Sequence, residues 1–232
     1  MYIYRCLIEL HDSLYFATRE IGRLYETEPV LHNYALCYAL GLVDSDRHHT
    51  RVASPEQEYR YFCPTQVPQY EEHLTPLNEQ KIYVTPAHSC SHTAVLNTWK
   101  YANNNYHVEM EKTQKNIPSF GRAKEIAPES VFECFVISAN PLKLPKWIRL
   151  GKWSSKAEVN VKELPKPRQK SGIFLYPNAL NPLDVMFSHQ VVSYDVINMP
   201  PVSLIRNVTL QGEYYEIESL KIPATMTYRF SH

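Results

Sequence analysis

The residues best equipped to do chemistry lie in the run Ile148-Arg-Leu-Gly-Lys-Trp-Ser-Ser-Lys156. Arg149, Lys152 and Lys156 bring positive charge, and Ser154 and Ser155 bring hydroxyl donors; both kinds of group hold phosphate oxygens. Trp153 offers a π-face on which an unpaired base can stack. Gly151 allows a tight turn and close backbone approach. The competing reading is an ordinary hairpin with Trp153 in the core. Position favours phosphate: residues 140–170 hold nine basic side chains against only Glu158 and Glu163. The bland alternative there is a solvated Lys-rich linker, punctuated by prolines at 141, 145, 165 and 167.

A second group spans residues 88–128, where Lys100, Tyr101, Tyr106, His107, Lys112, Lys115, Phe120, Arg122 and Lys124 interleave charge with aromatic rings. That mixture suits single-stranded RNA, whose splayed bases stack on aromatic side chains. Its rival is a long loop without structure. His88-Ser-Cys-Ser-His92 is the most ligand-like cluster, but Pro86 and the flanking Ser and Thr point to a loop with no fourth ligand, so we read structural or surface residues and expect no metal. His48-His49 reads as solvent-exposed. Ten histidines could supply a general base for RNA cleavage, yet none stands at an informative spacing from a partner. Phosphate-loop, nucleophile-elbow and zinc-protease motifs are missing, and with only six Gly a Gly-rich nucleotide fold is disfavoured. No cofactor is expected.

The 232 residues carry 24 basic and 24 acidic side chains, but unevenly. The net charge is −6 over residues 1–80, +8 over 81–170 and −2 over 171–232. A hydrophobic fraction of 44% is ordinary for a folded protein with a substantial core. The sequence has neither a signal-peptide pattern at its start nor a membrane-length apolar run, so no membrane association is expected. Five scattered cysteines, never in a C-x-x-C pair, fit reduced thiols in a cytoplasm.

These side chains must be positioned by a β-rich frame. Residues 2–10 alternate as a strand, and 131–138 form a strongly apolar one. Pro29 is expected to open a helix carrying Leu31, Tyr34, Ala35, Tyr38 and Leu42, with Gly41 at its end. Residues 44–80 and 88–128 read as surface excursions around a short strand at 81–85. Strands at 147–150 and 157–161 flank the basic turn. A short helix is expected at 179–185 and strands at 190–197, 202–211, 213–218 and 225–230, with Gly212 as a bulge or turn. The class is α+β, with strands outnumbering helices.

Set in order along the chain are an N-terminal strand, Phe16-Ala-Thr-Arg-Glu-Ile-Gly-Arg-Leu-Tyr-Glu-Thr-Glu-Pro29, the helix Leu31-His-Asn-Tyr-Ala-Leu-Cys-Tyr-Ala-Leu40, Arg149-Leu-Gly-Lys152 and Asn181-Pro-Leu-Asp184. This succession resembles the Cas-five-type subunit of the type I-D CRISPR Cascade, the Csc-one family. The resemblance implies a ferredoxin-like (RNA-recognition-motif-like) domain over 1–170 with an inserted β-hairpin thumb at about 88–128, and a β-rich C-terminal extension over 171–232 in the same compact unit. It implies a non-catalytic subunit that binds the 5′ handle of CRISPR RNA, caps the Cas-seven-type filament and lies beside a Cas-ten-like large subunit, near the protospacer-adjacent motif of target DNA. Residues matched to RNA are Arg149, Gly151, Lys152, Trp153, Ser154, Ser155 and Lys156 in the basic turn and Arg19 and Arg23 in the loop before the helix. In the thumb they are Lys112, Lys115, Phe120, Arg122 and Lys124. Relatives often carry Pro-Thr-Lys/Arg-Ser at the helix start; here Pro29-Val-Leu-His32 removes a cation and a hydroxyl, leaving Arg23 and His32 as substitutes there. Two rivals stand beside this reading, a metal-independent endoribonuclease using a His and a Tyr, and a β-rich scaffold that touches no nucleic acid.

Overall fold

The computed structural model describes residues 1–22, 24–43, 68–101 and 119–230. The first strand, β1 (Tyr2–Leu10), sits between two antiparallel neighbours, β9 (Val131–Ser138) and β11 (Ser155–Glu163). Its alternation is as expected: Tyr4, Cys6, Ile8 and Leu10 are buried, with Cys6 directly opposite Cys134. The seven-stranded sheet is completed by β10 (Trp147–Leu150) on β11, and by β5 (Ile82–Val84), β6 (Ala87–Ser91) and β4 (Val30–Leu31) beyond β9.

Two helices, α1 (Asn33–Ala39) and α2 (Tyr70–Glu79), lie between β4 and β5 in sequence. The helix expected from Pro29 starts four residues later. Val30 and Leu31 instead pair with His88 and Ala87 as a strand, and buried His32 caps the helix, its Nδ1 accepting from the Tyr34 N–H at 3.2 Å. Helix α2 lies inside the expected 44–80 excursion. Pro76 hides it from a reading of the sequence, but Leu74 and Leu77 bury one face and Glu71 and Glu72 suit its first turn.

Two further sheets flank this one. Strands β2 (Arg19–Ile21), β3 (Leu24–Glu26), β7 (Ala94–Tyr101) and β8 (Ser119–Ile126) form one, in the order β2-β3-β8-β7. Strands β7 and β8 make an antiparallel hairpin inserted between β6 and β9, so part of the expected excursion at 88–128 is a β-hairpin. The other sheet is C-terminal: β12 (Arg168–Tyr176), β14 (Leu204–Ile217), β13 (Gln190–Ile197) and β15 (Leu220–Pro223), reached through the short helix α3 (Pro182–Val185). The residue boundary at 170 falls inside β12, and one apolar cluster runs from Cys6 and Cys134 through Leu36 and Leu74 to Tyr176 and Tyr228.

Two expectations here are corrected. Gly212 marks no turn: β14 runs through it, and His189 packs so closely that a Cβ there would lie 2.5 Å from its ring. Residues 225–230 form no strand, because side chains take the ladder's place. Tyr228 exchanges both backbone hydrogen bonds with the Asn78 amide (2.8 and 3.0 Å), the Arg229 N–H donates to Asp184, and the Arg229 carbonyl accepts from Tyr34. Asp184 also accepts from Asn33 at 2.9 Å and Tyr83 at 2.8 Å. The Asn181-Pro-Leu-Asp184 motif is thus a structural knot: Asn181 caps α3, Pro182 starts it, and Asp184 ties it to α1, β5 and the C-terminal segment.

Candidate nucleic-acid interface

The basic turn joins β10 to β11, with Gly151 at φ +70° and Ser154 at φ +52°. Gly151 is required twice, since a Cβ would meet the Tyr15 carbonyl oxygen at 2.6 Å. That close approach lets the Lys152 N–H donate to the same carbonyl at 2.9 Å. Asp12 accepts from the Lys156 N–H at 2.9 Å. The 11–15 segment therefore holds the turn from below.

Register places Arg149 directly opposite Lys156, a like-charge cross-strand pair that costs stability unless an anion or another group relieves it. Each side chain is drawn aside. Arg149 donates to the Ser154 carbonyl at 3.1 Å and stands 3.9 Å from Asp12, while the Lys156 ammonium lies 4.0 Å from the Trp147 ring centroid. Lys146 is paired with Glu158 at 3.1 Å. Lys152 has no carboxylate within 4 Å among the described residues. Trp153 is half-exposed at the turn, tilted against Tyr15 at 5.6 Å, and so is not a core residue.

Ser155 is placed otherwise than the sequence suggests. It is buried and its hydroxyl donates to the Ser13 carbonyl, so it anchors the turn and presents nothing to a phosphate. His32 is likewise no substitute cation. Burial lowers its pKa to about 4, and with Nδ1 accepting from Tyr34 the neutral ring's other nitrogen donates to the Val202 carbonyl at 3.2 Å.

Arg19, Arg122 and Lys124 sit on the β2-β3-β8-β7 sheet, apart from the turn. Arg19 pairs with Glu26 (3.3 Å) and Glu28, and Lys124 with Glu26 (3.3 Å), so much of their charge is answered inside the protein. Arg122 is exposed. Arg23, Lys112 and Lys115 lie outside the described residues, and for Phe120 only the backbone in β8 is described. The cations of 140–170 therefore divide. Arg149, Lys152 and Lys156 gather at the turn; Lys146 lies at the far end of β10 on Glu158, Lys162 lies farther along β11, and Lys170 pairs with Glu216 on β14.

His88 sits on β6 with Nε2 4.0 Å from Glu133, which Arg5 also holds, and burial lowers its pKa against the pull of that carboxylate. His92 Nδ1 is 2.9 Å from the Ser89 hydroxyl. Among the described residues, no group of three or more His, Cys, Asp or Glu could hold a metal ion.

Sequence reading missed the groove beside the turn. Two clefts adjoin at Ala35 of α1. One, of about 490 Å³, lies along β10 between Tyr38, Ala39, Trp147, Arg149 and Lys156. The other, of about 210 Å³, lies between Phe16, Tyr70, Lys152, Met199, Pro200 and Pro201. Small residues at 35 and 39 on one helix face open the space, and no local signal links them to a turn more than a hundred residues away.

The described residues thus form an α+β protein with an inserted hairpin, a C-terminal sheet and a groove edged by cations and aromatic rings. The chain belongs to the type I-D CRISPR-associated Cas5/Csc1 family, whose model matches residues 1–231. Comparison with curated proteins finds no match. Among solved structures the chain is similar to one in the cryo-EM structure of the Type III-B Cmr-beta bound to cognate target RNA and AMPPnP, state 1. That similarity is at 9% identity and TM-score 0.45 over 89% of this chain and 86% of that one. No helix among the described residues is long and apolar enough to cross a membrane.

Proposed function

We propose that this chain is a non-catalytic, cytoplasmic subunit of a type I-D CRISPR surveillance complex. It binds the single-stranded 5′ handle of the CRISPR RNA along the groove at the β10–β11 turn. The observation that carries this is the turn itself: two like charges opposed across a hairpin and a third, Lys152, that has no carboxylate within 4 Å among the described residues. An RNA phosphate seated at the turn would answer Lys152 and add to the contacts that hold Arg149 and Lys156 aside. Family membership supports the partners: the Cas-seven-type backbone subunit, the Cas-ten-like large subunit, and target DNA near the protospacer-adjacent motif. It also supports reading the β7–β8 hairpin as the thumb. We read the seven-stranded sheet as a modified ferredoxin-like core. The order β11-β1-β9-β6, with both long helices between β1 and β6 in sequence, matches that plan, and residues 139–146 stand where its second helix would be.

Changing Lys152→Ala together with Lys156→Ala tests the site. Guide affinity should fall, and the slope of log K against log salt should flatten by roughly 0.7 per lysine, the counterion release of one single-strand phosphate contact. Unchanged affinity and slope would remove the turn from the interface.

The endoribonuclease reading has one observation in its favour: Tyr38, which lines the larger cleft, has its hydroxyl 2.5 Å from His73 Nδ1. Burial raises the Tyr38 pKa, which holds its proton in place and suits a structural bond. Incubation with labelled repeat RNA decides between the two. Site-specific cleavage lost in His73→Ala would replace the non-catalytic reading.

A further inference from the structure

We infer that the smaller cleft receives one unstacked base of the bound RNA strand, held by stacking and shape, with that nucleotide's phosphate on Lys152. This rests on the RNA-binding reading above and adds a subsite to it. The cleft, about 210 Å³, is lined mainly by apolar groups: Phe16 and Tyr70 supply rings, and Met199, Pro200 and Pro201 supply aliphatic surface. Lys152 is its cation, projecting from the turn that brings Arg149 and Lys156 alongside. An apolar slot with aromatic faces and a single ammonium is complementary to a nucleotide: the base takes the slot and the phosphate takes the charge.

The polar groups in the slot decide how the base is read. His32 spends one ring nitrogen on the Tyr34 N–H and the other on the Val202 carbonyl. The Thr18 hydroxyl donates to the Glu26 carbonyl and accepts from the Glu28 N–H. Pro200 and Pro201 have no N–H to offer. The His32 and Thr18 side chains are therefore committed within the protein. Contact comes from ring faces, which every base possesses, so the subsite should tolerate base identity and require base presence.

An abasic scan of a short single-stranded RNA with the guide's 5′ sequence, titrated against the full chain, tests this. One position should lose about tenfold or more in affinity when its base is removed. Exchanging the base at that position should cost under about threefold. Ala17→Trp, at the rim of the cleft, should bring intact RNA down to the abasic level and erase the difference between the two. Phe16→Leu keeps apolar volume while removing a ring, and should cost severalfold even if the bulkier variant fails to fold. A flat abasic scan, with Lys152→Ala still weakening binding, overturns the subsite and leaves the RNA-binding reading standing. A strong dependence on base identity overturns shape-only reading. Failure of the wild-type chain to bind the RNA overturns both.

Discussion

Ser155 shows how one residue type can mislead at the turn. A serine beside three cations reads as a phosphate donor, but its place in the register puts it on the buried face of β11, opposite Leu150, where its hydroxyl satisfies the Ser13 carbonyl. Ser154, one residue earlier, is exposed at positive φ and remains available. Ser154 is the last residue of the turn and Ser155 the first of β11, so the two face differently, which the sequence shows only once the strand's start is known. The measurable difference follows. Ser155→Ala should lower stability by about 1 kcal/mol, because a partly buried carbonyl loses its donor, while leaving the salt slope of RNA binding unchanged. A denaturant melt and a salt titration on the same variant check it. A flattened salt slope at unchanged stability would return Ser155 to the phosphate.

Elements were legible where the pattern was local and hidden where partners were distant. Strands β1 and β9 alternate or run apolar over their whole length, so their sequences suffice. Strand β12 begins in the basic run Lys166–Lys170 and shows no apolar face until Phe174 and Tyr176, so its pattern assigns no strand there. The start of α1 was misjudged because a proline is a general permission to begin a helix, while the His32 cap depends on a ring folded back onto the chain. That cap has a titration signature. Burial sets His32 near pH 4 when folded against 6.5 when unfolded, so between those values the unfolded chain binds a proton that the folded chain does not, and its stability is lost as pH falls. Asp184 works in the opposite direction: burial raises it to about 7, overriding its three donors, so its stability is present at low pH and lost as pH rises. The two slopes oppose one another between about pH 4 and 6.5 and flatten the wild-type profile. His32→Asn keeps a capping oxygen and removes one slope. Its deficit relative to wild type should narrow by up to about 3 kcal/mol from neutral pH to about 4.5, read by urea melts at each pH. A deficit independent of pH would mean that His32 binds its proton equally well in the folded and unfolded chain.

Over the whole molecule, the proposed function rests on local charge, and among the described residues an apolar surface of the C-terminal sheet is exposed. Net charge is zero, yet the turn concentrates Arg149, Lys152 and Lys156, so binding strength should follow the groove and not the isoelectric point. The groove itself was beyond reading from sequence, because its walls come from residues 16–18, 35–39, 70, 147–156 and 199–201, which only tertiary packing assembles. The C-terminal sheet poses the converse problem. Its edge strand β13 exposes Val192, Tyr194 and Val196, each more than half exposed at 57%, 54% and 55%, and Ile173 and Leu175 stand out from β12 across β14. The only charge on β13 is Asp195, which accepts a hydrogen bond from Asn207 at 2.7 Å, and two register irregularities at 191–195 are the edge's main guard against pairing with another strand. An apolar edge of this kind drives self-association of the isolated chain. Val192→Lys with Val196→Lys should therefore shift light scattering towards monomer at high protein concentration. Guide affinity and its salt slope should not change, because the added charges sit on a different sheet from the turn. Unaltered scattering would mean that the bulges already block the edge, and a steeper salt slope would mean that the RNA runs across the C-terminal sheet as well.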